Sequence, residues 1–177
     1  MFKDLLQGKW LKHPLHPIVV SLPLGLWPIS LLLDVVSLYG RGCEAAVTAS
    51  FYALVFGMLG AGAAVITGLA DFTEIKPDKP AKKIAYKHLA LNVLGTLFWL
   101  GSLLLHLPAR DGGVVHAPSL AVVCSAIGLI ISLVAAYLGG RMVYDQGVGI
   151  GRFSKHELKE IARSAGNNVP REKEQGA

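Results

Sequence analysis

The sequence predicts an all-α fold: an integral membrane four-helix bundle with a short amphipathic helix in a cytoplasmic tail. Three observations lead there. Charged residues make up only 16% of the 177-residue chain, hydrophobic residues 53%, and the mean hydropathy is +0.49. A soluble domain carries about 25% charged residues. Four apolar runs are each long enough to cross about 30 Å of hydrocarbon, which takes about 20 helical residues. Finally, fifteen of the 17 basic residues fall on one side of the alternation that four spans impose.

The spans follow in order. The first runs from about Pro17 to Tyr39, the second from Ala45 to Ala70, the third from Ile84 to Leu107 and the fourth from Ser119 to Leu138. Continuous apolar runs are helical in a bilayer, because only helices and closed barrels satisfy every backbone polar group there, and a barrel strand alternates. The links Gly40 to Glu44, Asp71 to Lys83 and Pro108 to Pro118 are short, so neighbouring helices run antiparallel. Pro14 and Pro17 fit the start of a helix, where a missing N–H costs nothing. Gly57, Gly60, Gly62 and Gly68 in the second span fit close packing of small residues between helices. No internal repeat stands out at this level.

Lys3, Lys9 and Lys12 precede the first span. Lys76, Lys79, Lys82, Lys83 and Lys87 surround the second link, and seven more basic residues follow the fourth span, while only Arg41 and Arg110 lie on the other side. By the positive-inside rule both termini are cytoplasmic, in what would be a bacterial inner membrane. Trp10 and Tyr39 bracket the first span as interfacial anchors. That span is too long for a cleaved signal peptide and lacks a small-residue exit. Residues 1–153 form the transmembrane domain. In 154–177, Ser154 and Glu157 have capping-box spacing, and Leu158, Ile161, Ala162 and Ala165 share a face, so a short surface helix is expected before a tail that has little to bury. The net charge of +5 reflects topology and not nucleic-acid binding. The expected partners are the lipid bilayer and a redox protein.

Polar residues within spans carry the functional information. Asp34 lies near the outer end of the first span. His13 and His16 stand at its cytoplasmic mouth, His88 about a turn into the third span, and His106 at that span's outer end. Asp71 and Tyr144 fall near the cytoplasmic layer. His88 and His106 are 18 residues apart, about five helical turns, and so share a face, with Asn92 one turn above His88. His16 and Asp34 have the same spacing, subject to bending at Pro23 and Pro28. Two polar layers result: His16 with His88 inside, Asp34 with His106 outside.

Two neutral imidazoles across a bundle suit a haem iron, as in b-type haem, or another metal ion. Lys12, Lys87 or Arg141 would meet haem propionates, and Gly139 and Gly140 would let a flat ring or another helix approach the fourth span. Histidines at such a depth often do no more than bond to backbone or headgroups. The competing functions are a non-catalytic bundle that binds a protein partner or carries a small solute, and a proton or cation path through Asp34, His106 and the inner layer. An apolar middle argues against the path. Phosphate loops, HExxH, nucleophile triads and paired catalytic carboxylates are absent, and Cys43 with Cys124 makes neither CxxC nor a disulfide framework. No catalytic residue is assigned.

KHPLHPIVVSLPLGLWPISLLLD, then TGLADF, KHLALNV and YLGGRMVYDQGVGIG, resemble in order the signature blocks of a bacterial membrane family, domain of unknown function 2231. The resemblance runs from about Pro14 to Gly151 and singles out His16, Pro17, Pro23, Asp34, Asp71, His88, Asn92, Gly139, Gly140, Tyr144 and Gly147. Arg141 stands where the family pattern has an acidic residue. The resemblance implies no activity. It does associate the fold with redox modules, through relatives joined to iron–sulfur domains.

Overall fold

Residues 2–11, 13–39, 43–149 and 155–166 are described in the computed structural model. They form α1 (Phe2–Leu6), α2 (Leu15–Tyr39), α3 (Glu44–Phe72), α4 (Pro80–Leu105), α5 (Ser119–Tyr144) and α6 (Lys155–Ser164). Single 3-10 turns lie at Lys9–Leu11 and Leu107–Asp111. Among the described residues there is no strand. Helices α2 to α5 are the four spans, each 25 to 29 residues long.

Two helices extend beyond their apolar runs. Helix α4 begins about a turn early because Pro80 occupies its first turn, after an extended Lys79. Helix α5 continues through Gly139 and Gly140 to Tyr144. Leu32, Leu59, Leu97 and Ile130 are each more than half exposed, at 65, 66, 58 and 64%. So much outward apolar surface on all four helices is compatible with lipid and not with water.

Helix α2 packs mainly on α3, and α4 on α5, so the bundle is two helical hairpins. Each hairpin repeats one pattern. In α2, His16, Trp27, Ser30 and Asp34 recur in α4 as His88, Trp99, Ser102 and His106, at identical spacing. In α3, Gly57, Ala61, Ala64 and Gly68 recur in α5 as Gly128, Ser132, Ala135 and Gly139. The expectation of no internal repeat is therefore corrected. Only a few buried positions in each hairpin are held in common, and the lipid-facing residues between them are free to differ.

Equivalent residues of the two hairpins touch. Trp27 and Trp99 stack with centroids 5.1 Å apart and planes 17° apart. His106 and Asp34 meet one level further on. Residues related by a pseudo-two-fold can touch their equivalents only beside the axis, so this seam runs up the centre of the bundle. Each indole is seated on a glycine. A Cβ on Gly57 would lie 2.3 Å from Trp27 Nε1, and one on Gly128 3.0 Å from Trp99 Nε1.

The symmetry breaks at a hydrogen bond of the tryptophan pair. Trp99 Nε1 donates to Ser132 Oγ at 3.2 Å, whereas buried Trp27 Nε1 meets no acceptor among the described residues. Ala61 stands where Ser132 stands in the other hairpin. Ala61→Ser is therefore expected to stabilise the protein by about 1 kcal/mol, the net worth of one such bond. Thermal unfolding in detergent checks this, and a loss of stability would contradict the equivalence.

The ends of the bundle are tied by polar contacts. At the end away from the N-terminus, Gly113 N–H donates to Glu44 Oε1 at 2.8 Å and Cys43 N–H to Val115 O at 2.9 Å. At the other end, α1 docks on the end of α3: Gln7 Nε2 donates to Ala70 O at 3.2 Å and Lys3 pairs with Glu74 at 2.5 Å. Lys9 pairs with Asp4 and holds that carboxyl down at about 2. The Lys3 ammonium, and then Gln7, lower Glu74 likewise. Phe2 and Trp10 stay exposed at 73 and 63%, placed as surface anchors. The sequence analysis did not anticipate α1, whose five residues are too few to show a period.

Helix α6 lies where a tail helix was expected. Ser154, the side chains of His156, Glu157, Leu158 and Ile161, and the stretch from 167 onward lie outside the described residues, as do Lys12 and Arg41.

Candidate functional site

The seam carries polar groups at both ends and the tryptophan stack between them. His16 stands in the first turn of α2. Its ring lies against Gly68, where a Cβ would be 2.8 Å from His16 Cε1. His16 Nδ1 is 2.9 Å from Ala64 O, and Thr67 Oγ1 lies 3.3 Å away. His88 repeats the arrangement in the other hairpin. Its Nδ1 is 2.8 Å from Ala135 O, and a Cβ on Gly139 would be 3.1 Å from its Cε1. A carbonyl only accepts, so both Nδ1 atoms carry the proton and both Nε2 atoms present a lone pair.

Here the pair differs. Asn92 Nδ2 donates to His88 Nε2 at 3.0 Å and to His88 O at 2.8 Å. The position equivalent to Asn92 beside His16 is Val20, and among the described residues nothing is hydrogen-bonded to His16 Nε2.

At the far end, Asp34 and His106 are both fully buried. His106 Nδ1 donates to Ser102 O at 2.9 Å, and His106 Nε2 lies 3.0 Å from Asp34 Oδ1. Since Nδ1 must hold a proton, one further proton sits between Nε2 and Oδ1. The couple is then either imidazolium with carboxylate or imidazole with carboxylic acid, and it is neutral in sum both ways. Ser30, Ser37, Ser50, Ser102 and Ser125 surround it, all at 0% exposure, with their hydroxyls bonded to backbone or to one another. Asp34 Oδ2 is buried without a partner among the described residues.

The other candidates scatter. His13 is exposed and precedes α2, Asp71 is half-buried near the end of α3, and Tyr144 is 85% exposed, outside the layer. Arg141 pairs with Asp145 at 2.9 Å. His116 Nδ1 donates to Ser37 O at 2.8 Å and joins the far end. Gly139 is occupied by the His88 ring of α4, so of the two approaches expected there it admits the neighbouring helix. Among the described residues no three His, Cys, Asp or Glu side chains gather as a metal cage.

The carbonyls of Ala64 and Ala135, the glycine seats and the tryptophan stack were not foreseen from the sequence. The missed signal was the shared spacing of His, Trp and Ser in α2 and α4.

Residues 12–152 match the profile of a family described as "Predicted membrane protein (DUF2231)". The chain belongs to this family. No curated protein and no solved structure matches it. The DUF2231 match takes in both hairpins whole and leaves α1 and α6 outside, so the whole seam lies within the family's domain.

Proposed function

We propose that this DUF2231 protein is a membrane module that binds b-type haem or another metal ion between His16 and His88, and serves electron transfer with a redox partner. One observation carries the reading: two equivalent imidazoles, each with Nδ1 bound to a backbone carbonyl of the neighbouring helix. That bond sets the tautomer and orients Nε2 as a ligand, the arrangement typical of metal-bound histidine. Neutral nitrogen donors suit haem iron and borderline transition ions. The Trp27–Trp99 stack separates this layer from the Asp34–His106 couple, which supports a fixed ligand site over a polar path through the bundle.

The test is spectroscopic. Protein purified in detergent after expression with ample haem is expected to show a Soret band, with split visible bands on reduction. His16→Ala or His88→Ala should abolish or distort it, and His156→Ala should leave it unchanged. A colourless protein that still holds metal, lost in both variants, would leave the bare-ion form. Absence of both would overturn the reading.

The site would face the cytoplasm of a bacterial inner membrane, with residues 1–153 as the transmembrane domain and 154–177 as its tail. The supporting argument is the distribution of basic residues. A reporter active only outside the cytoplasm should be silent at the C-terminus and active after Arg110. Reversed activities would reverse the placement.

A further inference from the structure

We infer that Asn92 is a latch on the His88 side of the site, so that the two histidines bind a metal centre unequally: His16 stands open, and His88 coordinates only when Asn92 lets go. This positioning role rests on the proposed function and adds to it an order of engagement.

The geometry leaves little freedom in assigning the contact. His88 Nδ1 faces Ala135 O and must donate, so Nε2 is an acceptor. The Asn92 amide atom near Nε2 also lies 2.8 Å from His88 O, a second acceptor. An atom facing two acceptors is the NH2 group, and its two hydrogens serve both. The lone pair that would bind a metal is therefore already in use. A metal at His88 requires Asn92 Nδ2 to turn away and keep at most its backbone bond.

His16 has no such competitor. Its ring has the equivalent carbonyl partner, Ala64 O, and the equivalent glycine seat, Gly68, but Val20 occupies the position of Asn92. An electrophile reaching the layer meets His16 Nε2 first and completes the second bond at the expense of one hydrogen bond. Releasing a hydrogen bond worth about 1 kcal/mol corresponds to roughly fivefold in affinity.

Asn92→Val is the direct test, because it installs the residue found at the equivalent position and should fold. Hemin and Co2+ are titrated separately into wild type and variant in detergent and followed by absorbance. Asn92→Val is expected to bind whichever probe the wild type takes about fivefold tighter. Equal or weaker binding would overturn the latch while leaving the ligand pair standing. A second measurement needs no metal. In 15N-labelled apoprotein, Asn92→Val should move the His88 Nε2 resonance and leave that of His16 in place. An unmoved His88 signal would overturn the latch. Failure of both probes on both proteins would overturn the proposed function, and the resonance shift would still decide whether Asn92 holds His88.

Discussion

Exchanging Asp34 and His106 should restore a bundle that His106→Asp alone breaks. The single change sets two carboxylates face to face at full burial, removes the donor to Ser102 O, and leaves one shared proton to relieve the repulsion. Breaking a buried pair in this way costs about 3–5 kcal/mol. Adding Asp34→His brings imidazole and carboxylate together again from opposite sides of the seam, because the two positions are equivalents in the repeat. Recovery should be large but incomplete. The new imidazole would look for Ser30 O, which already accepts Ser50 Oγ at 3.1 Å, whereas Ser102 O takes the His106 ring readily at 2.9 Å. Asp34→Asn is the mild control: its amide can donate to neutral His106 Nε2 and should cost about 1 kcal/mol or less. Melting of the purified variants in detergent reads all three. A double variant no more stable than His106→Asp would show that the pair is not set by the pseudo-symmetry.

The four spans, their order and the meeting of Asp34 with His106 could be read in the chain because each rests on one number per helix. Twenty apolar residues cross the bilayer, and 18 residues bring a side chain back to the same face. Pro23 and Pro28 did not disturb that register in α2. The inner layer was legible only in part. The spacing placed His16 and His88 at one level, but their hydrogen-bond partners are backbone carbonyls, and a carbonyl leaves no mark in a sequence. Asn92 was visible one turn above His88. Its significance came from comparison with Val20, which requires the repeat to be seen first. His13 and Tyr144 looked like members of the same layer because distance along the chain places a residue at a depth and says nothing about exposure beyond a helix end.

The glycines of α3 show the same gap and give the last large effect expected. Gly57 and Gly62 read alike as small residues in a packed span. In the structure, a Cβ on Gly57 would fall 2.3 Å from Trp27 Nε1 and 2.4 Å from Cδ1, while one on Gly62 meets nothing within 4 Å. Trp27 has nowhere to retreat. Trp99 is stacked on it at 5.1 Å, is itself fully buried, and rests on Gly128. Overpacking a filled site costs about 1–3 kcal/mol, and a clash with a held indole belongs at the upper end. At Gly62 the added methyl meets only lipid, and the gain in helix propensity makes Gly62→Ala neutral or stabilising by up to about 1 kcal/mol. Gly57→Ala should therefore melt well below Gly62→Ala, a gap of about 3 kcal/mol. It should also weaken the near-ultraviolet circular dichroism of the stacked indoles, which Gly62→Ala should preserve. Equal melting and an unchanged signal in both would mean that the indoles are not stacked over Gly57, and the seam through the centre of the bundle would have to be redrawn.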